Sequence, residues 1–456
     1  MPAIWARRAL LPAGWETQVA VFVGEDGRIA AVERGTAPPP GATVVETLLP
    51  APANLHSHAF QRAMAGLTER RGPDPKDSFW TWRRLMYRFL DQLTPEDIEA
   101  IAAFVQMEML EAGYATNVEF HYLHHDSGGR PYADLAEMSG RIAAAAEQTG
   151  IGLTLLPVLY QWGGLDRRAL VSGQDRFGNT PERFARLVEG AQGHVARLGA
   201  DSRIGIAPHS LRAVDGDGLA AAQALAGDGP IHMHLAEQAA EVDEVLATTG
   251  RRPVEWLLEN LAVDQRWCLI HATQMTPGET VALARSGAVA GLCPITESSL
   301  GDGIFDGVRW TDAGGAFGIG SDSNIRIALS EELRTLDYSQ RLRDRSRAAL
   351  ASADRSTGRV LFEGAARGGA QAAGRGAGAI EPGLWADLMA LGDLGPDGVG
   401  RGDDTLLDTW IFARDDRDVT DTWSAGRHLV ADGRHIHRAP ITAAYARTLQ
   451  RLRQAI

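Results

Sequence analysis

Two histidines separated by one residue, His56 and His58, close a short apolar run, Pro50-Ala51-Pro52-Ala53-Asn54-Leu55. In a strand, residues i and i+2 point to the same face. The two imidazoles would then stand side by side at ligand spacing, as half of a metal site. Histidines and acids recur at the ends of later apolar runs. His121-Tyr122 follows the run near residue 120, His209 the one near 207, and His234 the one near 233, with Glu237 just beyond; His271 and Asp322 end two more. His56, His58, His234 and Asp322 make an N3O donor set. That set suits one Zn²⁺ per chain, with Fe²⁺ and Mn²⁺ as alternatives. An open coordination position would bring the pKa of water toward neutrality.

Three residues complete the chemistry. Glu237, three residues after His234, is placed to take a proton from water and pass it to a leaving nitrogen. His271 could orient the nucleophile or stabilise charge on a tetrahedral intermediate. Asp322, besides binding metal, could accept a hydrogen bond from the nucleophile. His232 competes with His234 for the ligand role, since both face the same side of a strand. His234 is preferred because it lies nearer the strand end and has Glu237 at +3. The run His121-Tyr122-Leu123-His124-His125-Asp126 reads as a loop lining the mouth, with no histidine given to the metal.

Such a convergence requires a scaffold whose strand ends open onto one face. Candidate strands cover 48–55, 115–121, 152–160, 203–208, 230–235, 267–271, 289–295 and 316–320. Helix-length apolar segments separate them, at 95–112, 135–149, 181–198 and 239–260. Eight strand–helix units predict an α/β fold, a (β/α)8 TIM-like barrel. A doubly wound sheet is the alternative, weakened because no Gly-x-Gly-x-x-Gly turn follows the first strand. Many two-metal barrel hydrolases bridge their ions with a carbamylated lysine on the fourth strand. The sole lysine here is Lys76, in a polar stretch after the first strand, and the fourth strand offers His209. A mononuclear site follows.

Both ends read as β-rich. Val19–Val23 and Arg28–Val32 flank Gly24-Glu25-Asp26-Gly27, a hairpin turn, and a second hairpin is centred on Ala431-Asp432-Gly433. Leu384–Leu391 is strand-like, and the Gly- and Ala-rich stretch 364–378 reads as a helix end and linker. We therefore expect a small β-sandwich domain built from 1–49 and 380–456, around a barrel at 50–379.

Composition bounds the rest. The chain has 456 residues, 45% of them hydrophobic, and a formal charge of −13. No basic stripe marks a nucleic-acid surface. No apolar run approaches the ~18 residues that span a bilayer, and the first residues lack a signal peptide. A soluble cytoplasmic protein is expected, with a homodimer on base rates. Cys268 and Cys293 both sit in apolar segments and read as core packing.

The His-x-His, His-x-x-Glu, His and Asp series along eight barrel strands resembles the amidohydrolase superfamily, in its mononuclear deaminase branch. The resemblance covers nearly the whole chain; Ile380–Leu388 resembles the return into the terminal domain. A narrower resemblance lies in Asn54–Gly66, Ser78–Arg83, Glu119–Asp126, Ala207–Arg212 and His234–Gln238. These stretches are similar to the deiminase family of that branch whose members hydrolyse N-formimino-L-glutamate in histidine breakdown. This implies a small-molecule dicarboxylate substrate, converted to N-formyl-L-glutamate and ammonia. It implies Arg83 and Arg212 as carboxylate-binding cations, since arginine grips carboxylates bidentately. Gln61, Tyr122 and His209 are implied as polar partners, and Trp80 and Trp82 read as core packing. A deaminase of a purine, pyrimidine or triazine ring is the rival reading; ring substrates call for stacking aromatics and few cations. A catalytically dead scaffold predicts gaps among the ligands, and none is visible.

Overall fold

In the computed structural model, which describes residues 1–69 and 86–455, the first apolar runs become four strands. They are β1 (Ala3–Leu11), β2 (Gly14–Val23), β3 (Ile29–Glu33) and β4 (Thr43–Pro50). The expected hairpin is β2–β3, paired antiparallel from Ala20↔Glu33 to Val23↔Ile29. The run at 48–55 is two strands rather than one. Pro50 and Pro52 cannot donate to a ladder, and the chain changes sheets between them, entering β5 (Ala53–Ser57).

The parallel strands follow: β6 (Thr116–His121), β7 (Gly152–Leu159), β8 (Arg203–Ile204), β9 (Ala207–Pro208), β10 (Ile231–Leu235), β11 (Trp267–His271), β12 (Val289–Leu292) and β13 (Ala316–Ile319). One arc runs β5-β6-β7-β8, with β9 also on β7, and a second runs β10-β11-β12-β13. Parallel bridges Ile206↔Ile231 and Ser57↔Asp322 join the arcs at both seams. The result is the eight-staved barrel, with the fourth stave split into β8 and β9. Every residue of β5, β6, β7, β10, β11 and β12 is buried, as expected of strands covered on both faces. Leu55, Cys268, Ile270, Val289, Cys293 and Ala372 pack together, and both cysteines are free.

Helices fill the connections. Pro95–Glu111 starts at a capping box made by Thr94 and Asp97. Glu137–Thr149 and Pro181–Val195 match two further expected segments. The segment at 239–260 is two helices, Ala239–Thr249 and Pro253–Asn260. Gly250 ends the first at φ 72, a left-handed cap, and Pro253 opens the second. Helix Thr357–Ala372 leads out of the barrel.

The chain then forms β14 (Leu388–Leu391), β15 (Val419–Ser424), β16 (Arg427–Ala431) and β17 (Arg434–His435). The two ends make one eight-stranded sheet, ordered β17-β16-β15-β14-β4-β1-β2-β3. They meet where β14 pairs antiparallel with β4, Leu388 opposite Pro50. The C-terminal end is less β-rich than expected. Helix Arg438–Ala455 leaves the sheet and packs on Pro95–Glu111. The Tyr445 ring stacks on Phe104 at 4.0 Å, and Arg451 pairs with Asp97. Among the described residues no helix is long and apolar enough to cross a membrane.

Candidate metal centre and active site

His56 lies within β5 and His58 one residue past it, their ring centroids 4.6 Å apart. His234 lies in β10, and Asp322 follows β13. These four buried residues each offer one ligand atom, and the four atoms lie within 4.8 Å of one another. Nε2 of His56 is 3.4 Å and Nε2 of His58 is 3.2 Å from Oδ1 of Asp322. Nε2 of His234 is 3.2 Å from Nε2 of His56.

The other ring nitrogens face acceptors. Nδ1 of His58 lies 3.0 Å from the Phe120 carbonyl, and Nδ1 of His234 lies 3.1 Å from that of His209. Carbonyls only accept, so Nδ1 carries the hydrogen in both and Nε2 turns a lone pair to the centre. Burial pushes His56 down to about 3 and His234 well below its usual value, so both are neutral. Burial would raise Asp322, but the close approach of His56 and His58 outweighs it and holds the carboxyl well below the usual range. Neutral imidazoles around an ionised carboxylate fit a divalent cation of borderline softness. The four residues form a metal site.

A buried polar network holds the ligands. Gly320 packs so closely on His56 that a Cβ would lie 2.7 Å from the His56 nitrogen. The chain then reaches Asp322 at φ 46, left-handed for a residue with a side chain. Two main-chain bonds fix it there: His58 N–H to the Asp322 carbonyl and Asp322 N–H to the His56 carbonyl, each 2.9 Å. Asn54 donates to Ser321 at 2.7 Å, and Asn324 donates to Ser57 at 3.2 Å. Ser57 donates to Glu119 at 2.7 Å, and Glu119 also accepts the Ala59 N–H at 2.7 Å. Sequence reasoning missed Glu119; an acid inside the apolar run Val118-Glu119-Phe120 is the signal that could have found it.

A cavity opens beside the centre. His58, His234, Glu237, His271 and Asp322 line it, and so do Gln61, Tyr122, His209 and Arg212. Nε2 of His271 is 3.9 Å from Glu237 and 3.9 Å from Asp322, while Nδ1 is 3.2 Å from Glu297. Burial would push His271 down, but Glu237, the bond to Glu297 and Asp322 outweigh it and raise the imidazole to about 10. Nη2 of Arg212 is 3.5 Å from Glu237. Gln61 donates to the Tyr122 hydroxyl at 2.8 Å, and His209 Nδ1 is 2.9 Å from the Ser210 hydroxyl. Arg83, Trp80, Trp82 and Lys76 lie outside the described residues.

The cavity has walls the sequence did not single out: Met86, Tyr87, Tyr160, Phe177 and Leu300. Other histidines are placed elsewhere. His121 ends β6, and neither it nor His124 or His125 lines the cavity; all three are buried. Nε2 of His124 meets the Val158 carbonyl at 2.9 Å, and Nε2 of His125 meets that of Gly178 at 3.0 Å. Of the run expected at the mouth, Tyr122 is the residue on the cavity wall. Nε2 of His232 is bonded to the Ala372 carbonyl at 2.8 Å, away from the four ligands.

Comparison with known proteins agrees with this geometry. The amidohydrolase family model matches residues 47–429. The model described as "Formimidoylglutamate deiminase HutF, N-terminal domain" matches residues 1–43. The chain is 48% identical over 454 residues to formimidoylglutamate deiminase of Pseudomonas aeruginosa, covering 99% of this chain and 100% of that protein. It is 29% identical to a 5-methylthioadenosine/S-adenosylhomocysteine deaminase of Natronomonas pharaonis, covering 94% of this chain and 90% of that one. A crystal structure of an amidohydrolase from Brucella melitensis superposes with a TM-score of 0.94 at 47% identity, covering 99% of this chain and 100% of that one. The chain therefore belongs to the amidohydrolase family, among its formimidoylglutamate deiminases.

Proposed function

We propose that this site hydrolyses N-formimino-L-glutamate to N-formyl-L-glutamate and ammonia. One observation carries the reading. A buried guanidinium, Arg212, shares a cavity wall with Glu237 beside the four-residue metal site. A cation there suits a carboxylate-bearing substrate and serves a neutral ring amine poorly. The 48% identity to a formimidoylglutamate deiminase supports the same substrate.

His56, His58, His234 and Asp322 would hold one Zn²⁺. That ion would supply Lewis acidity and bring the pKa of water toward neutrality. The protein's own groups do the remaining work. Gln61, Tyr122, His209 and Arg212 bind the glutamate end, with Arg83 as a second carboxylate cation. Glu237 takes a proton as the water oxygen bonds to the formimino carbon and delivers it to the terminal nitrogen, and the oxygen's second proton follows by the same carboxylate as the carbonyl forms. That carbon–nitrogen bond breaks and ammonia leaves, while the glutamate nitrogen stays on the formyl carbon. His271, held by Glu297, stabilises charge on the intermediate.

Ammonia release from N-formimino-L-glutamate, measured beside N-formimino-L-aspartate, guanine and cytosine, tests this. A clear preference for the first supports it. Preference for a ring would replace the substrate class, and no release from any would favour a scaffold.

A further inference from the structure

Glu241 takes no part in the chemistry above and does not line the cavity, yet it is 0% exposed. It sits in the first turn of helix Ala239–Thr249. A carboxylate has two acceptor oxygens, and here each takes one main-chain N–H. Oε1 accepts from Ala236 at 3.1 Å and Oε2 from Glu237 at 3.2 Å. Ala236 has φ 50, so this is a strained left-handed turn. The two bonds pin the turn that carries Glu237 off the end of β10. The same Oε2 lies 4.0 Å from Nε of Arg212, whose Nη2 lies 3.5 Å from Glu237.

A buried carboxylate is costly unless its charge and lone pairs are met. Burial holds the Glu241 carboxyl above its usual value, and Arg212 opposes that shift without cancelling it. Glutamine could not replace it evenly. Its amide has one acceptor oxygen and would turn an NH2 toward the second N–H donor.

We propose that Glu241 is a positioning residue that aims Glu237 at the reacting nitrogen and holds Arg212 as the counter-ion shared by both acids. The proposal rests on Glu237 being the proton carrier. Glu241→Gln should lower kcat by about tenfold or more, because small displacements of a catalytic group are costly. KM should stay within about threefold, since Arg212 keeps its pairing with Glu237 at 3.5 Å.

A merely structural role is separated by the double variant. If Glu241 acts through Glu237, Glu237→Gln/Glu241→Gln should have the kcat of Glu237→Gln alone. Once Glu237 carries no proton, its aim no longer matters. Glu241→Asp keeps the charge on a shorter arm and provides the same cycle if the glutamine variant melts early. The cycle runs on whichever of the four substrates above the wild type turns over. Failure of the N-formimino-L-glutamate reading is thus seen in the wild type, and failure of this proposal in the variants. A Glu241→Gln kcat within about twofold of wild type, or losses that multiply in the double variant, would overturn it. So would near-normal turnover by Glu237→Gln.

Discussion

Nδ1 of His271 lies 3.2 Å from Oε1 of Glu297, both residues are buried, and Glu297 also accepts the Cys293 N–H at 2.9 Å. The carboxylate thus fixes which imidazole nitrogen faces the cavity. It also secures a residue whose backbone is left-handed, at φ 70.

This pairing makes Glu297 a position where shape alone does not suffice. Glu297→Leu should lower stability by about 1–3 kcal/mol, because a buried donor loses its acceptor. Turnover should fall with it, while metal content stays at the wild-type level. Glu297→Gln keeps one acceptor oxygen and should recover part of both. Thermal melting, metal analysis and kcat on the same samples decide this; a leucine variant with wild-type kcat would show that His271 needs no such partner.

His232 and His234 offer a sharp contrast. Nε2 of His232 is bonded to the Ala372 carbonyl, away from the four ligands, whereas Nε2 of His234 faces His56. His234→Asn should abolish tight metal binding, and His232→Asn should spare it. Metal content after dialysis is the readout, and the reverse pattern would move the ligand assignment to His232.

Glu237 and Arg212 should fail in different ways. Glu237→Gln should keep its metal and lose about 10²- to 10⁴-fold in kcat, the usual worth of a positioned proton carrier. Arg212→Met should raise KM for N-formimino-L-glutamate about 10- to 100-fold, the worth of a hydrogen bond to a charged group, besides the kcat it loses as counter-ion to Glu237 and Glu241. Steady-state kinetics on both variants separates the roles. A methionine variant with unchanged KM would remove Arg212 from carboxylate binding.

The four residues that could hold a metal were legible as a group because parallel strands in a barrel all end at one mouth. His56, His58, His234 and Asp322 each close or follow a strand, so a rule about strand ends sufficed. The partners of the buried acids behind them were not legible. Glu119 is bonded to Ser57 and Ala59, and Glu297 to His271, far away in the chain. No local pattern reports such a partner. The apolar walls Tyr160, Phe177 and Leu300 look in sequence like any core residue. The C-terminal helix did carry a signal, since Ile441, Tyr445 and Leu449 recur every four residues. The hairpin just before it drew the reading toward strands.

Arg375 joins the barrel to the terminal sheet, and its loss should be the most damaging change outside the active site. Its guanidinium is buried between Asp387 at 2.6 Å and Asp201 at 3.1 Å. Asp387 also accepts the Ala425 N–H at 2.8 Å, and Asp201 meets Arg427 at 2.6 Å. Arg375→Met would leave two buried carboxylates short of their shared cation, at a cost of about 3–5 kcal/mol. The pH dependence has a definite sign. Burial would raise Asp201, but Arg427 and Arg375 outweigh it and hold the carboxyl below its usual value. Its contribution to stability is therefore present above the unfolded carboxyl pKa of about 3.9 and is lost as pH falls through the lowered value. Without Arg375 the carboxyl is less depressed, so the variant should lose less of its remaining stability on acidification. Urea unfolding at pH 7 and at about pH 2 (roughly the lower end of the loss for a depressed carboxylate) measures both effects. A variant as stable as wild type at pH 7, or one more acid-sensitive, would show that this cluster does not clamp the two units.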